Sequence, residues 1–224
     1  MTLSWRSLAQ LVREPSHSRR AEAARRNARH ALWLIAITGS AIIALMFLLD
    51  VPEIKLMPPR GTPSLWPLRI LTDFGKDTYV LAALAALLVL VAVLVPALHG
   101  IRRTLLLGLG TRLQFLFLAV LVSNLVTDLL KWAIGRGRPF VGGEANAFNF
   151  SHFEGSGTFA SCPSGHATTA FALAFAVSAV WRKATPIMLL YAVLICISRV
   201  ILLAHHPSDV VGGALTGVIG AMFV

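Results

Sequence analysis

Three separated stretches of this chain hold residue types that could do chemistry together: KWAIGRGRP at 131–139, SCPSGHATT at 161–169 and SRVILLAHHPSD at 198–209. Between them they supply Lys131, Arg138 and Arg199, the hydroxyl of Ser164, and His166, His205, His206 and Asp209. Arginine offers a planar fork of donors and lysine a compact point charge, a pairing that suits the three oxygens of a phosphoryl group better than a carboxylate. Gly165 follows Ser164 and precedes a helix expected to begin near His166, so backbone N–H groups can approach the same oxygens at a helix N-terminus. Imidazole titrates near neutrality and can serve as nucleophile or as proton donor. Asp209 stands four residues after His205, just inside a helix that Pro207 would start. There it could accept from one ring nitrogen of His205 and leave the other bare to attack phosphorus.

The elements that must position these residues are membrane helices. At 56% hydrophobic and 13% charged residues over 224 positions, with mean hydropathy +0.74, the chain has too little polar surface to cover a soluble globule. Uncharged stretches run from Ala31 to Leu49 and from Thr78 to Leu98, each long enough to cross a hydrocarbon core of ~30 Å at ~1.5 Å per residue. Four further spans follow: Thr104–Leu130 with Arg112 and Asp128, Ala167–Trp181, Ala184–Ala204 with Arg199, and Val210–Val224. The last holds 15 uncharged residues, or 18 residues in all, Asp209 among them, if the helix begins at Pro207, which reads as a native chain that continues past Val224 or has been trimmed there. A backbone in lipid must satisfy its own hydrogen bonds, and nothing here alternates like a barrel strand, so the expected fold is an all-α polytopic bundle of about six transmembrane helices. Residues 1–30, with seven arginines and two acids, form a basic cytoplasmic segment before the membrane domain at 31–224. They precede an uncleaved first helix rather than forming a signal peptide.

Orientation follows from the cations. With the N-terminus inside, segments 1–30, 99–112 and 181–185 hold 12 of the 20 Lys and Arg residues, and half of the other eight lie among four acids in 50–77. The positive-inside rule therefore places both termini in the cytoplasm. The three motifs then converge on the opposite face, at the outer ends of spans three, four and five. Ionisable groups at such positions are costly unless paired or functional.

These motifs fit K-x6-RP, PSGH and SR-x5-H-x3-D, in that order, and in this the chain resembles the type 2 phosphatidic acid phosphatase superfamily. Its members include membrane lipid phosphatases and soluble vanadium haloperoxidases. The resemblance covers roughly residues 100–224. It implies that His205 forms a phosphohistidine, that Asp209 orients it, and that His166 protonates the leaving oxygen and later helps to activate water. Lys131, Arg138, Arg199, Ser164 and the Gly165 backbone would hold the phosphoryl oxygens, and Pro139 would stop the helix so that the chain turns over the site. No metal and no cofactor is expected, since three fixed cations can stabilise an in-line displacement as metals do elsewhere.

The expected function is hydrolysis of a terminal phosphate or diphosphate of a lipid: phosphatidylglycerol phosphate, polyprenyl diphosphate, phosphatidate or a lipid A type. A phosphotransferase on the same fold, or a non-catalytic lipid-binding or transport protein, are the alternatives. The expected partners are the phosphorylated lipid and the bilayer, with no nucleic acid, and the expected location is a bacterial inner membrane with the site facing the periplasm. Arg136 falls between pattern positions and reads as a solvated or headgroup-facing side chain. His206 is the rival of His205, disfavoured by its spacing from Arg199 and Asp209. Asp128 reads as a structural partner of a cation. His17, His30, His99 and His152 read as surface residues, and Cys162 and Cys196 as free thiols. The loop Phe140–Ser161, with five phenylalanines, is either a lid or an aromatic anchor, and 51–77 is interfacial.

Overall fold

The computed structural model describes residues 17–139, 141–142 and 146–224. Residues 1–16 of the basic segment, the side chain of His17 and Phe140 lie outside the described residues. The chain runs through α1 (His17–Leu48), α2 (Asp50–Leu56), α3 (Trp66–Asp73), α4 (Asp77–Leu94), α5 (Gly100–Ile134), α6 (Gly165–Val180), α7 (Thr185–Ile201) and α8 (Pro207–Met222). Short 3₁₀ turns precede α3 and α7 and follow α4. Among the described residues the only β-pairing is a single antiparallel bridge between Arg136 and Phe150. The protein is a helical membrane bundle. It divides into two units, Met1–Ile37 and Thr38–Val224, and the second carries every candidate site residue.

The six expected spans correspond to α1 and α4–α8, with shifted ends. Among the described residues, four stretches are long and apolar enough to cross a membrane: Ala28–Leu48, Pro63–Ala97, Gly100–Ile134 and Arg182–Ile201. Helix α6, with 16 residues, is apolar but shorter, and α8 also has 16. At ~1.5 Å per residue, α5 extends roughly 50 Å, well beyond a ~30 Å hydrocarbon core. That excess carries Arg102 and Arg103 at one end and Lys131 at the other. Local chemistry sets the other boundaries. Asp77 in the first turn of α4 complements the helix dipole, and Pro186 and Pro207 open α7 and α8, where a missing N–H costs nothing.

Helix α6 packs against α5, α7 and α8, and α5 also packs against α4 and α8. The α6 side chains that make these contacts are small: Ala167, Ala170, Ala172, Ala174 and Ala176 are all buried. On α8, Gly213, Gly217 and Gly220 play the same part, since a Cβ at these positions would run into Ser164 O, Thr168 O and Ser123 Oγ respectively. In lipid, helices gain little from the hydrophobic effect between them, so close backbone approach and interhelical hydrogen bonds hold the bundle. The bonds are present: Thr127 and Thr168 hydroxyls lie 2.9 Å apart, Thr169 donates to Asn124 Oδ1 at 3.1 Å, and Ser123 donates to Gly217 O at 3.3 Å. The large apolar side chains, Leu87, Val93, Leu129 and Ile187 among them, face outward.

Gly217→Leu is expected to drive a side chain into the α6 backbone and destabilise the bundle by about 1–3 kcal/mol or prevent its folding, the usual cost of overpacking. Gly108→Leu has nothing within 4 Å of the added Cβ and should leave the unfolding midpoint in detergent unchanged. Thermal unfolding of the two variants side by side checks the difference.

Candidate active site

The C-terminal end of α5 begins the site. The helix stops at Ile134 because Gly135 adopts φ +56°, the left-handed conformation that a glycine takes at low cost, and its N–H bonds back to Lys131 O. Pro139, expected to be the stop, lies beyond this turn. A Cβ on Gly135 would also collide with the Ser151 carbonyl. From there the chain runs beside the following loop: Gly137 N–H donates to Asn149 O at 2.8 Å, Arg138 N–H to Thr158 O at 3.0 Å, and Ser161 N–H to Arg136 O at 2.9 Å. The described part of the loop expected to be a lid or an anchor is thus sewn by its backbone to 135–138. Phe153 stacks edge-on against Trp132.

Arg136 corrects the sequence reading. It is 1% exposed, and its five N–H bonds go to five acceptor contacts. Nε and Nη2 donate to Ala147 O at 3.0 and 2.7 Å, Nη2 to Asp50 Oδ2 at 2.8 Å, and Nη1 to Ser208 Oγ and Asp209 Oδ1, both at 2.6 Å. A guanidinium has five such donors and no more, so this one is saturated. Two carboxylates in separate segments demanded a buried cation, which is why a solvated position was wrong. The acids Asp50 and Glu53 are likewise buried rather than surface counter-charges for neighbouring lysines and arginines.

Asp209 is saturated too. It accepts from Arg136, from Ser161 Oγ at 2.6 Å and from the His206 backbone N–H at 3.0 Å. It makes no bond to the His205 ring, where the sequence reading put its function. Instead His205 Nδ1 lies 2.7 Å from the Ser161 carbonyl. A carbonyl can only accept, so Nδ1 carries the proton and Nε2 keeps its lone pair. Ser161 therefore joins the two: its hydroxyl donates to Asp209 and its carbonyl fixes His205. Burial, then the charges of Arg199 and Arg138, hold His205 well below the usual imidazole range, which keeps the ring neutral.

The remaining expected residues lie at the same end of the bundle. Ser164 caps α6, completely buried, with no partner for its hydroxyl among the described residues. His166 Nε2 and Arg199 Nε are also buried without partners, while Arg199 Nη1 donates to Thr72 Oγ1 at 2.9 Å. Lys131 Nζ sits 3.4 Å from Asp128 Oδ1 and would be 3.0 Å from a Cβ at Gly165, so glycine there leaves room for the ammonium at the α6 N-terminus. Arg138 Nε donates to Gly157 O at 2.9 Å, with Nη1 3.4 Å from Ala204 O, next to His205. His206 is completely buried and both its ring nitrogens lack partners, but it belongs to the Asp209 side of the network. His30, His99 and His152 are exposed, and both cysteines are free.

A family model described as PAP2 superfamily matches residues 112–224. Over 103 residues the chain is 38% identical to lipid A 1-phosphatase of Rhizobium johnstonii, covering 46% of this chain and 42% of that protein. The lipid A 1-phosphatase of Rhizobium etli gives 38% over 103 residues, covering 46% and 44%. A protein of Escherichia coli K12 bearing the provisional name undecaprenyl-diphosphatase YbjG is 33% identical over 121 residues, covering 51% and 58%. The chain spans about half the length of the curated relatives it matches. No solved structure matches.

Removing the saturated guanidinium strands two buried carboxylates, so Arg136→Ala should cost about 3–5 kcal/mol, read as a fall in the unfolding midpoint in detergent. Arg136→Lys cannot supply five donors in a fork and should recover only part of it. A pH dependence belongs to Glu53, whose carboxyl is pushed up to about 8 by burial and then by the negative charges of Asp50 and Asp209. Between the ordinary 4.5 and about 8 the folded state holds a proton that the unfolded state has released. Stability therefore falls as pH rises through that window. Glu53→Gln should flatten this slope, and equal slopes in the two proteins would refute the assignment.

Proposed function

Because the chain belongs to the PAP2 superfamily, we propose that it is an integral membrane phosphatase that removes a terminal phosphate from a lipid through a phosphohistidine on His205. The observation that carries the reading is the bond from His205 Nδ1 to the Ser161 carbonyl, which aims a neutral ring with Nε2 free as the nucleophile. Nε2 attacks phosphorus, the bond from phosphorus to the lipid oxygen breaks, and His166 gives that oxygen a proton. Water then attacks the phosphohistidine, His166 takes a proton from it, the P–N bond breaks, and phosphate leaves with His205 restored. Lys131, Arg138, Arg199, the Ser164 hydroxyl and the Gly165 N–H hold the oxygens on which charge develops. Unpartnered polar atoms on Ser164, His166 and Arg199 support a phosphoryl group as the missing partner, since buried polar groups are otherwise paired. Asp209 acts at one remove, through Ser161.

The relatives' names, lipid A 1-phosphatase and undecaprenyl-diphosphatase, support a phosphorylated lipid as substrate. The cation count supports a site on the non-cytoplasmic face, and the bacterial sources of these relatives support an inner membrane with the site toward the periplasm.

The two histidines should separate by leaving group. His205→Ala should abolish turnover and show no burst with any substrate. His166→Ala loses a general acid, roughly 10²–10⁴ in rate with a lipid alkoxide, yet should give a burst with an activated aryl phosphate, whose phenolate leaves unaided. A burst retained in His205→Ala and lost in a His206→Ala variant would move the nucleophile to the neighbouring ring.

A further inference from the structure

His166 and Arg199 line a cavity of about 430 Å³ that Arg60, Arg69 and Lys76 also line. That volume is within the ~300–1,000 Å³ typical of small-molecule sites. The three cations come from the segment between α2 and α4, which lies before the residues 112–224 that match the family. The segment is fixed against the site: Thr72 accepts from Arg199, and a Cβ on Gly75 would meet Ile195 Cγ2 at 2.6 Å and His166 Cβ at 3.5 Å. Arg60 stands in the turn made by Pro59–Thr62, where Gly61 takes φ +92° and Thr62 Oγ1 donates to Pro59 O at 2.6 Å. Arg69 stands on α3.

The charges do not balance. Among the described residues Asp73 is the only acid lining the cavity, and it is bound to Lys76 at 2.7 Å. Among the described residues neither Arg60 nor Arg69 has a carboxylate within ion-pair distance; Arg69 Nη2 reaches only the Thr62 carbonyl, at 3.4 Å. Arg60 also acts on the phosphate-holding cations, adding to burial in holding Arg138 below the usual guanidinium range. One phosphoryl group has Lys131, Arg138 and Arg199 to neutralise it. Two arginines that face the same space are left without an anion, and gathered like charges are unfavourable until one arrives.

We propose that Arg60 and Arg69 form a second anion subsite, which seats a second phosphate of the substrate headgroup while the first is attacked by His205. This rests on the phosphatase reading and sharpens it, since it selects lipids with two phosphates over those with one. The second phosphate can be joined to the first as a diphosphate, where it carries one negative charge, or stand elsewhere on a larger headgroup as a monoester; both present anionic phosphoryl oxygens to a guanidinium fork.

The test uses the purified full chain and three substrates: a lipid monophosphate, a lipid diphosphate, and a glycolipid bearing two separated phosphates. The wild type should favour a two-phosphate lipid. In the double variant Arg60→Gln/Arg69→Gln, the ratio of kcat/KM for that lipid over the monophosphate should fall at least about tenfold, mostly through KM, as charged hydrogen bonds of this strength imply. The substrate whose ratio falls identifies how the second phosphate is carried. Lys55→Gln, a cation of the same part of the chain that does not line the cavity, should leave the ratio alone. An unchanged ratio in the double variant, or an equal fall in Lys55→Gln, overturns the subsite. If the wild type hydrolyses nothing, the phosphatase reading fails visibly on its own, and inorganic pyrophosphate and phosphate test the subsite without turnover. Pyrophosphate should then raise the wild-type unfolding midpoint more than phosphate does, and the double variant should lose that difference. Equal shifts in both proteins overturn the subsite.

Discussion

One buried guanidinium holds together the end of the bundle that carries the candidate site. Arg136 spends all five donors on α2, on the loop carbonyl of Ala147 and on the first turn of α8. The carboxylates that receive this charge are held in turn by further donors: Asp50 takes the Ser208 N–H and hydroxyl, and Asp209 takes the Ser161 hydroxyl and the His206 N–H. Breaking such a pair costs far more than the pair is worth against an apolar replacement. The network therefore does more to specify one arrangement of three segments than to add raw stability. The proposed nucleophile shares that arrangement, since His205 is held by the backbone of the same Ser161 whose hydroxyl the network holds.

The rest of the scaffold brings helix ends close enough for this to happen. Glycines on α8 and alanines on α6 let backbones approach until Ser123, Thr127 and Thr168 can bond across helices. The approach also brings the turn before α8 beside the turn before α6, where the Ser164 N–H donates to the Asp209 carbonyl at 2.9 Å. Two tight crossings thus bring together the PSGH turn and the histidine pair, which are about forty residues apart in sequence.

Much of this was legible in the sequence. Apolar run lengths identified the helices, and motif order put Lys131, Ser164, His166, Arg199 and His205 at one end, because helix length and alternating direction leave little freedom. Arg136 was not legible. Its neighbours Gly135 and Gly137 resemble a solvated turn, and its partners Asp50 and Asp209 lie 86 and 73 residues away, a distance over which no local pattern operates. The same blindness produced the Asp209 assignment. A four-residue spacing to His205 suggested a direct bond, but the helix beginning at Pro207 turns the carboxylate toward Ser161 and Arg136. The stop of α5 was placed at Pro139 for want of knowing that Gly135 would take the left-handed conformation four residues earlier.

The ion network also imposes an order on biogenesis. Asp50 leaves the ribosome first, Arg136 follows 86 residues later and Asp209 after another 73. Until Asp209 has been made, the guanidinium has only the first of its two carboxylates available, and the donors that reach Ser208 and Asp209 in the folded protein need other acceptors. Only with α8 in place can Asp209 accept from Arg136 and from the Ser161 hydroxyl. The ion network and the setting of His205, the proposed nucleophile, are therefore completed by the same helix, α8.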